Sequence, residues 1–165
     1  MVIAGIKHCS ITDGPGRRFV VLLPGCQHHC AGCAASQGPG SGVDFPMEEL
    51  ADQMDSQDAE GLTLTGGDPF DQPEACAALA KAAHAQGKTV WCWTSRTFED
   101  LAESGSPAQQ ALLKETDVLV DGPFRADLAR DGLLWRSSGN QRCIRVPDSF
   151  AAGKAVLLPE NSPAK

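Results

Sequence analysis

The chain has 165 residues, enough for one domain around one core and too few for a full eightfold barrel, which takes about 250 residues. Hydrophobic residues make up 42% and charged residues 21%, the balance of a globular chain, and no apolar run reaches the roughly 18–20 residues that a membrane helix needs. A net charge of −7 argues against broad binding to nucleic acid, whose phosphates attract basic surfaces.

In chain order, the opening MVIAGIKHCSITDGPG has no basic segment followed by a long apolar stretch, so a cytoplasmic location is expected. Val2 to Ile6 predicts a short edge strand. Phe19–Leu23 predicts a buried strand closed by Pro24-Gly25. Pro46 suits a first helical position, and Met47, Leu50, Ala51 and Met54 follow at helical spacing. Leu62–Thr65 is the next strand, ended by Gly66-Gly67. Pro73 opens a helix that turns Ala75, Leu79, Ala82 and Ala83 inward and closes at Gly87. Thr89–Thr94 predicts a strand. Thr97 with Asp100, and Ser106 with Gln109, have the spacing of capping boxes. Asp117–Val120 is a further strand, stopped by Asp121-Gly122-Pro123, and Cys143–Val146 predicts the last. Strands alternating with helices imply a parallel sheet. The expected fold is therefore α/β, a partial (β/α) barrel of about five to six parallel strands. Residues 1–150 would form one domain, and 151–165 a less structured tail.

Ligands of parallel α/β folds sit at the C-terminal ends of the strands. Cys26, Gly66, Gly67, Asp68, Thr94, Ser95 and Asp121 all follow strands directly, so they should meet at one rim. Plain turns and caps are the alternative for Thr94, Ser95 and Asp121.

Of the seven cysteines, three crowd into Cys26-x3-Cys30-x2-Cys33. Thiolates suit iron–sulfur clusters and zinc. Three cysteines leave one iron of a cubane open, whereas a closed zinc site wants four ligands and could recruit His28 or His29. On spacing alone both metals stay open. An electron carrier would need a fourth cysteine from 9, 76, 92 or 143. Cys76 and Cys92 read as buried core residues.

The cysteine spacing resembles the signature of radical S-adenosylmethionine (SAM) enzymes. Thr65-Gly66-Gly67-Asp68-Pro69 is similar to their GGE motif, with the acid one methylene shorter. Ser10–Arg17 resembles the DGPG-x-R stretch of glycyl-radical-enzyme activases, and Gly25–Cys33 resembles their GC-x-H-x-C-x-GC pattern. Asp117–Phe124 and Trp135–Arg142 are similar to the DxLVDGPF and GSxNQR segments of the anaerobic ribonucleotide reductase type. The chain departs from the family at 34–42, and at Trp93-Thr94-Ser95-Arg96, where a Tyr-Thr-Gly-like run is usual.

The resemblance implies a radical SAM oxidoreductase of the class that includes [formate-C-acetyltransferase]-activating enzymes. Cys26, Cys30 and Cys33 would hold a [4Fe–4S] cluster, and SAM would chelate the fourth iron. Gly66, Gly67 and Asp68 would hold the methionyl end of SAM, with Thr94, Ser95 and Asp121 as further contacts. An external one-electron donor such as flavodoxin or ferredoxin would drive cleavage of SAM to methionine and a 5′-deoxyadenosyl radical. That radical would take hydrogen from a glycine Cα on a glycyl-radical partner, with no membrane or nucleic acid involved. A stand-alone enzyme resembling 7-carboxy-7-deazaguanine synthase is the alternative, and a zinc-binding or electron-transfer protein the remote one.

Overall fold

The structure, a computed structural model, describes residues 1–37 and 40–159. Its centre is a sheet of β2 (Gly5–Ser10), β3 (Arg18–Leu23), β5 (Gly61–Gly66), β6 (Thr89–Trp93), β7 (Val118–Asp121) and β8 (Arg142–Arg145), in that spatial order. The short strands β1 (Val2–Ile3) and β4 (Val43–Asp44) pair separately. Strands β3, β5, β6 and β7 run parallel, whereas β2 and β8 are antiparallel to their neighbours.

The α/β class and a six-stranded, mostly parallel sheet agree with the expectation, but the count of five to six parallel strands is corrected to four. The reason lies in the connections. A parallel return needs a crossover, usually a helix, to carry the chain back across the sheet. The 11–17 turn between β2 and β3 is too short for one. The 122–141 segment between β7 and β8 holds only a single 3-10 turn at Ala126–Leu128. The edge strand expected over Val2 to Ile6 is also broken at Ala4, whose amide bonds to the Leu22 carbonyl at 2.7 Å.

The short α1 (Ala34–Gln37) follows the cysteines, and helices α2 (Met47–Ser56), α3 (Pro73–Ala85) and α5 (Pro107–Lys114) supply Leu50, Met54, Leu79, Ala80, Ala83, Leu112 and Leu113 to one core. Against these pack Phe19, Val21, Leu62, Leu64, Val90, Cys92 and Leu119 from alternate positions of the strands. The opposite strand positions, Trp91, Val118 and Val120, form a second cluster with Trp93, Trp135 and Cys143. Helix boundaries follow their caps. Pro46 is the N-cap of α2, and Pro73 is the first residue of α3. Thr97 caps α4 (Phe98–Ser104) through the Asp100 amide, and Ser106 makes a full capping box with Gln109 at α5.

Beyond β8, α6 (Val146–Ala152) ends at Gly153 in the left-handed region. The chain then returns to β8, where the Leu158 amide bonds to the Cys143 carbonyl at 2.8 Å. This part of the expected tail is ordered by pairing with the sheet. No described helix is long and apolar enough to cross a membrane.

Candidate functional site

Because β3, β5, β6 and β7 are parallel, their C-terminal ends open onto one rim. A cavity of about 600 Å³ lies there, within the range typical of small-molecule and cofactor sites. Its wall includes Cys26 and Cys33 after β3, Gly66, Gly67 and Asp68 at the end of β5, and Thr94 and Ser95 after β6. Phe124, Leu22, Leu23 and Trp93 give it an apolar lining, and Lys7, Asp13 and Gln141 a polar one.

Glycine at 66 and 67 has a local cause. Gly66 has φ +89°, in the left-handed region that side chains disfavour. A Cβ on Gly67 would overlap the Gly25 carbonyl oxygen and stand 2.6 Å from that of Pro24. The Gly67 amide donates to the Leu23 carbonyl at 2.8 Å. The turn after β5 therefore lies directly against the chain that leads into the cysteines.

Asp68 is 4% exposed. Its Oδ1 accepts from the Phe70 amide at 3.0 Å, and its Oδ2 from the Thr94 hydroxyl at 2.8 Å and the Ser95 amide at 3.2 Å. Burial pushes its carboxyl above the usual range, and the hydrogen bonds from Thr94, Phe70 and Ser95 oppose that shift. Thr94 and Ser95 thus meet the carboxylate that the sequence placed beside them at the rim.

The three cysteines share one loop. Cys26, Cys30 and Cys33 are each half-buried, and the Cys33 amide bonds to the Cys30 carbonyl at 3.1 Å. Cys30 is not part of the cavity wall. Burial pushes the Cys26 thiol up, with the His28 backbone amide acting the other way. None of the seven cysteines, all within the described residues, is in a disulfide. Among the described residues, no three His, Cys, Asp or Glu side chains are already gathered as a metal site. The donor set still suits an iron–sulfur cluster, since three soft thiol ligands lie on one short loop and two of them face the cavity.

Asp121 is directed elsewhere. It is buried, its Oδ2 accepts from the Phe98 amide at 2.8 Å, and its Oδ1 accepts from Arg142 Nε at 2.9 Å. It does not line the cavity. Lys7 lines it although its spacing did not mark it, and Trp93, which opens the segment that departs from the family's Tyr-Thr-Gly-like run, lines it as well. Asp13 both lines the cavity and stands at the start of the tight Gly14–Gly16 turn.

Comparison with known proteins settles the family. Residues 12–144 match the family described as 4Fe-4S single cluster domain. The anaerobic ribonucleoside-triphosphate reductase-activating protein of Enterobacteria phage T4 is 35% identical over 147 residues, covering 83% of this chain and 89% of the relative. That of Vibrio cholerae is 37% identical over 142 residues, covering 79% and 89%. That of Escherichia coli K12 is 34% identical over 144 residues, covering 79% and 90%. The chain belongs to the family of anaerobic ribonucleoside-triphosphate reductase-activating proteins. The [4Fe–4S] cluster and SAM expected from the motifs are borne out by this membership, and the zinc and deazaguanine-synthase alternatives are not favoured.

Proposed function

We propose that this chain is a radical SAM activase that generates a glycyl radical on an anaerobic ribonucleotide reductase. The observation that carries the reading is the shared cavity wall of Cys26, Cys33, Gly66, Gly67 and Asp68, in a chain whose relatives bear that activating role in their names. The reductase type is preferred to the formate C-acetyltransferase type for the same reason.

In this reading Cys26, Cys30 and Cys33 hold the [4Fe–4S] cluster. A cluster held by these thiols would supply the one-electron chemistry for cleaving the carbon–sulfur bond of SAM. Asp68 receives the methionyl ammonium, and its burial makes that charge pairing stronger than in water. Gly66 and Gly67 let the backbone approach the methionyl end. Thr94 and Ser95 hold the carboxylate in place through their hydroxyl and amide. The apolar wall of Leu22, Leu23, Trp93 and Phe124 excludes water from the reacting atoms. Asp121 acts from behind, fixing the start of α4. Flavodoxin or ferredoxin would be the electron donor, and the cytoplasm the setting.

The test is anaerobic reconstitution with iron and sulfide, then SAM and dithionite, with 5′-deoxyadenosine quantified. Wild-type protein should yield the product, and Cys30→Ala should lose it by several orders of magnitude. A glycyl-radical EPR signal on a co-incubated reductase separates the activase from a stand-alone enzyme. Zinc in place of iron, with no product, would overturn the reading.

A further inference from the structure

The carboxylate of Asp68 is held by two separate turns. The Phe70 amide belongs to the 3-10 turn Pro69–Asp71 that follows β5, whereas the Thr94 hydroxyl and the Ser95 amide belong to the turn that follows β6. An ionised carboxylate has about four acceptor sites, so these three donors leave one for the methionyl ammonium. Where that site points depends on how the two turns sit against each other.

An ion pair joins the turns. Arg96 Nη2 donates to Asp71 Oδ1 at 2.9 Å, with the two side chains 30% and 17% exposed. A partly buried pair of this kind is screened less than one on the surface. Both residues also reach the surroundings of Asp68 through their backbones. The Asp71 amide donates to the Asp68 carbonyl at 3.0 Å. The Arg96 amide donates at 3.1 Å to the Thr94 hydroxyl oxygen, whose own proton goes to Asp68. The Arg96 carbonyl accepts from the Gly122 amide at 3.0 Å, which anchors this turn to the end of β7. Arg96 Nε is buried without a hydrogen-bond partner. An unpaired buried donor is unfavourable, yet the guanidinium stays there with its Nη2 on Asp71. Neither Asp71 nor Arg96 lines the cavity, so the pair acts on the site from outside its wall.

We propose that the Arg96–Asp71 pair is a positioning clamp, which fixes the turns after β5 and β6 so that Asp68 presents its remaining acceptor site to the SAM ammonium. The clamp is a single N–H on one carboxylate oxygen rather than a two-pronged contact, so a lysine ammonium can replace the guanidinium. Methionine keeps an apolar stem and removes the charge. The inference rests on the proposed role of Asp68 in binding SAM.

The experiment compares wild type, Arg96→Met, Arg96→Lys, Asp71→Ala and the double variant Arg96→Met/Asp71→Ala, each as the full chain reconstituted with iron and sulfide. Iron per chain, the SAM dissociation constant and the EPR spectrum of the reduced cluster with and without SAM are measured. All variants should keep wild-type iron content, because the thiols lie on another loop. Arg96→Met and Asp71→Ala should each bind SAM about tenfold more weakly, the scale of one weakened hydrogen bond to a charged group. The double variant should bind no more weakly than either, since both changes remove the same contact. The spectral change that SAM induces should be altered in these three, and Arg96→Lys should retain both affinity and spectrum. Wild-type SAM affinity and spectrum in Arg96→Met would overturn the proposal even with a lowered urea midpoint, because the pair would then serve stability alone. Losses that multiply in the double variant would overturn it by making the two residues independent, and a lysine variant as weak as Arg96→Met would do so as well. Low iron in the single variants would also overturn it, by placing their effect on the cluster. If the wild-type chain itself binds no SAM, the functional reading of Asp68 fails and the clamp with it.

Discussion

Gly67 has no room for a side chain. The Gly25 carbonyl occupies the place of its Cβ, and the Pro24 carbonyl closes the other approach. Both belong to the segment that delivers Cys26, so a methyl at 67 acts on the cysteines as well as on its own turn. Gly67→Ala should force the 24–25 backbone outward. Overpacking of this kind typically costs about 1–3 kcal/mol. The expected outcome is a folded protein with a lower urea midpoint and an iron content after reconstitution well below that of wild type. The contact partner is backbone, which cannot swing aside as a flexible side chain would. Full iron loading at wild-type stability would show that the two loops tolerate separation.

At the scale of elements, the parallel core was legible because β3, β5 and β7 end in glycine or proline turns and the helices between strands open on a proline or a side-chain cap. Thr97, Ser106 and Pro73 mark helix starts that the structure keeps. Strand direction at the edges was not legible. It depends on whether the connection holds a crossover helix, and the 122–141 segment has no helical periodicity from which to tell. The same gap explains Asp121. It follows a strand like the other rim residues, but alternation along β7 sends Val118 and Val120 into the tryptophan cluster and Leu119 toward the helices. Asp121 shares the parity of Leu119, and its carboxylate therefore meets the first turn of α4. Arg142 of β8 then joins Asp121 and Glu99, tying β7 and α4 to the last strand of the sheet. Arg142→Met should leave Asp121 buried without its cation and lower stability by roughly 2–3 kcal/mol in urea denaturation. Adding Asp121→Asn should recover part of that loss, since the buried charge disappears with its partner. Strict additivity of the two changes would mean that they do not act as a pair.

For the molecule as a whole, the cysteines outside the rim loop set a limit on alkaline stability. Cys92 is fully buried in the core between the sheet and the helices, where its sulfur accepts from the Thr116 hydroxyl at 3.3 Å. Burial pushes its thiol up from 9.0 to about 12. Cys143, half-buried beside the tryptophans, is pushed up to about 11 by the same cause. In the unfolded chain these thiols release their protons near pH 9, while in the folded chain they keep them. Above pH 9 the native state therefore binds more protons than the unfolded state, and stability must fall as pH rises. The loss begins near the unfolded value and continues until the folded thiol ionises, at no more than about 1.4 kcal/mol per pH unit for each thiol. Urea midpoints at pH 8 and pH 10 should show the decline. Cys92→Ala should start from a lower midpoint, because it leaves a small core cavity, and should lose less between the two pH values. A parallel decline in wild type and Cys92→Ala would assign the alkaline loss to other groups. Metal ligation requires cysteine as thiolate, so the two cysteine classes pull the working pH in opposite directions. The rim thiols gain ligand strength as they deprotonate, whereas Cys92 contributes to a stable core only while it stays protonated.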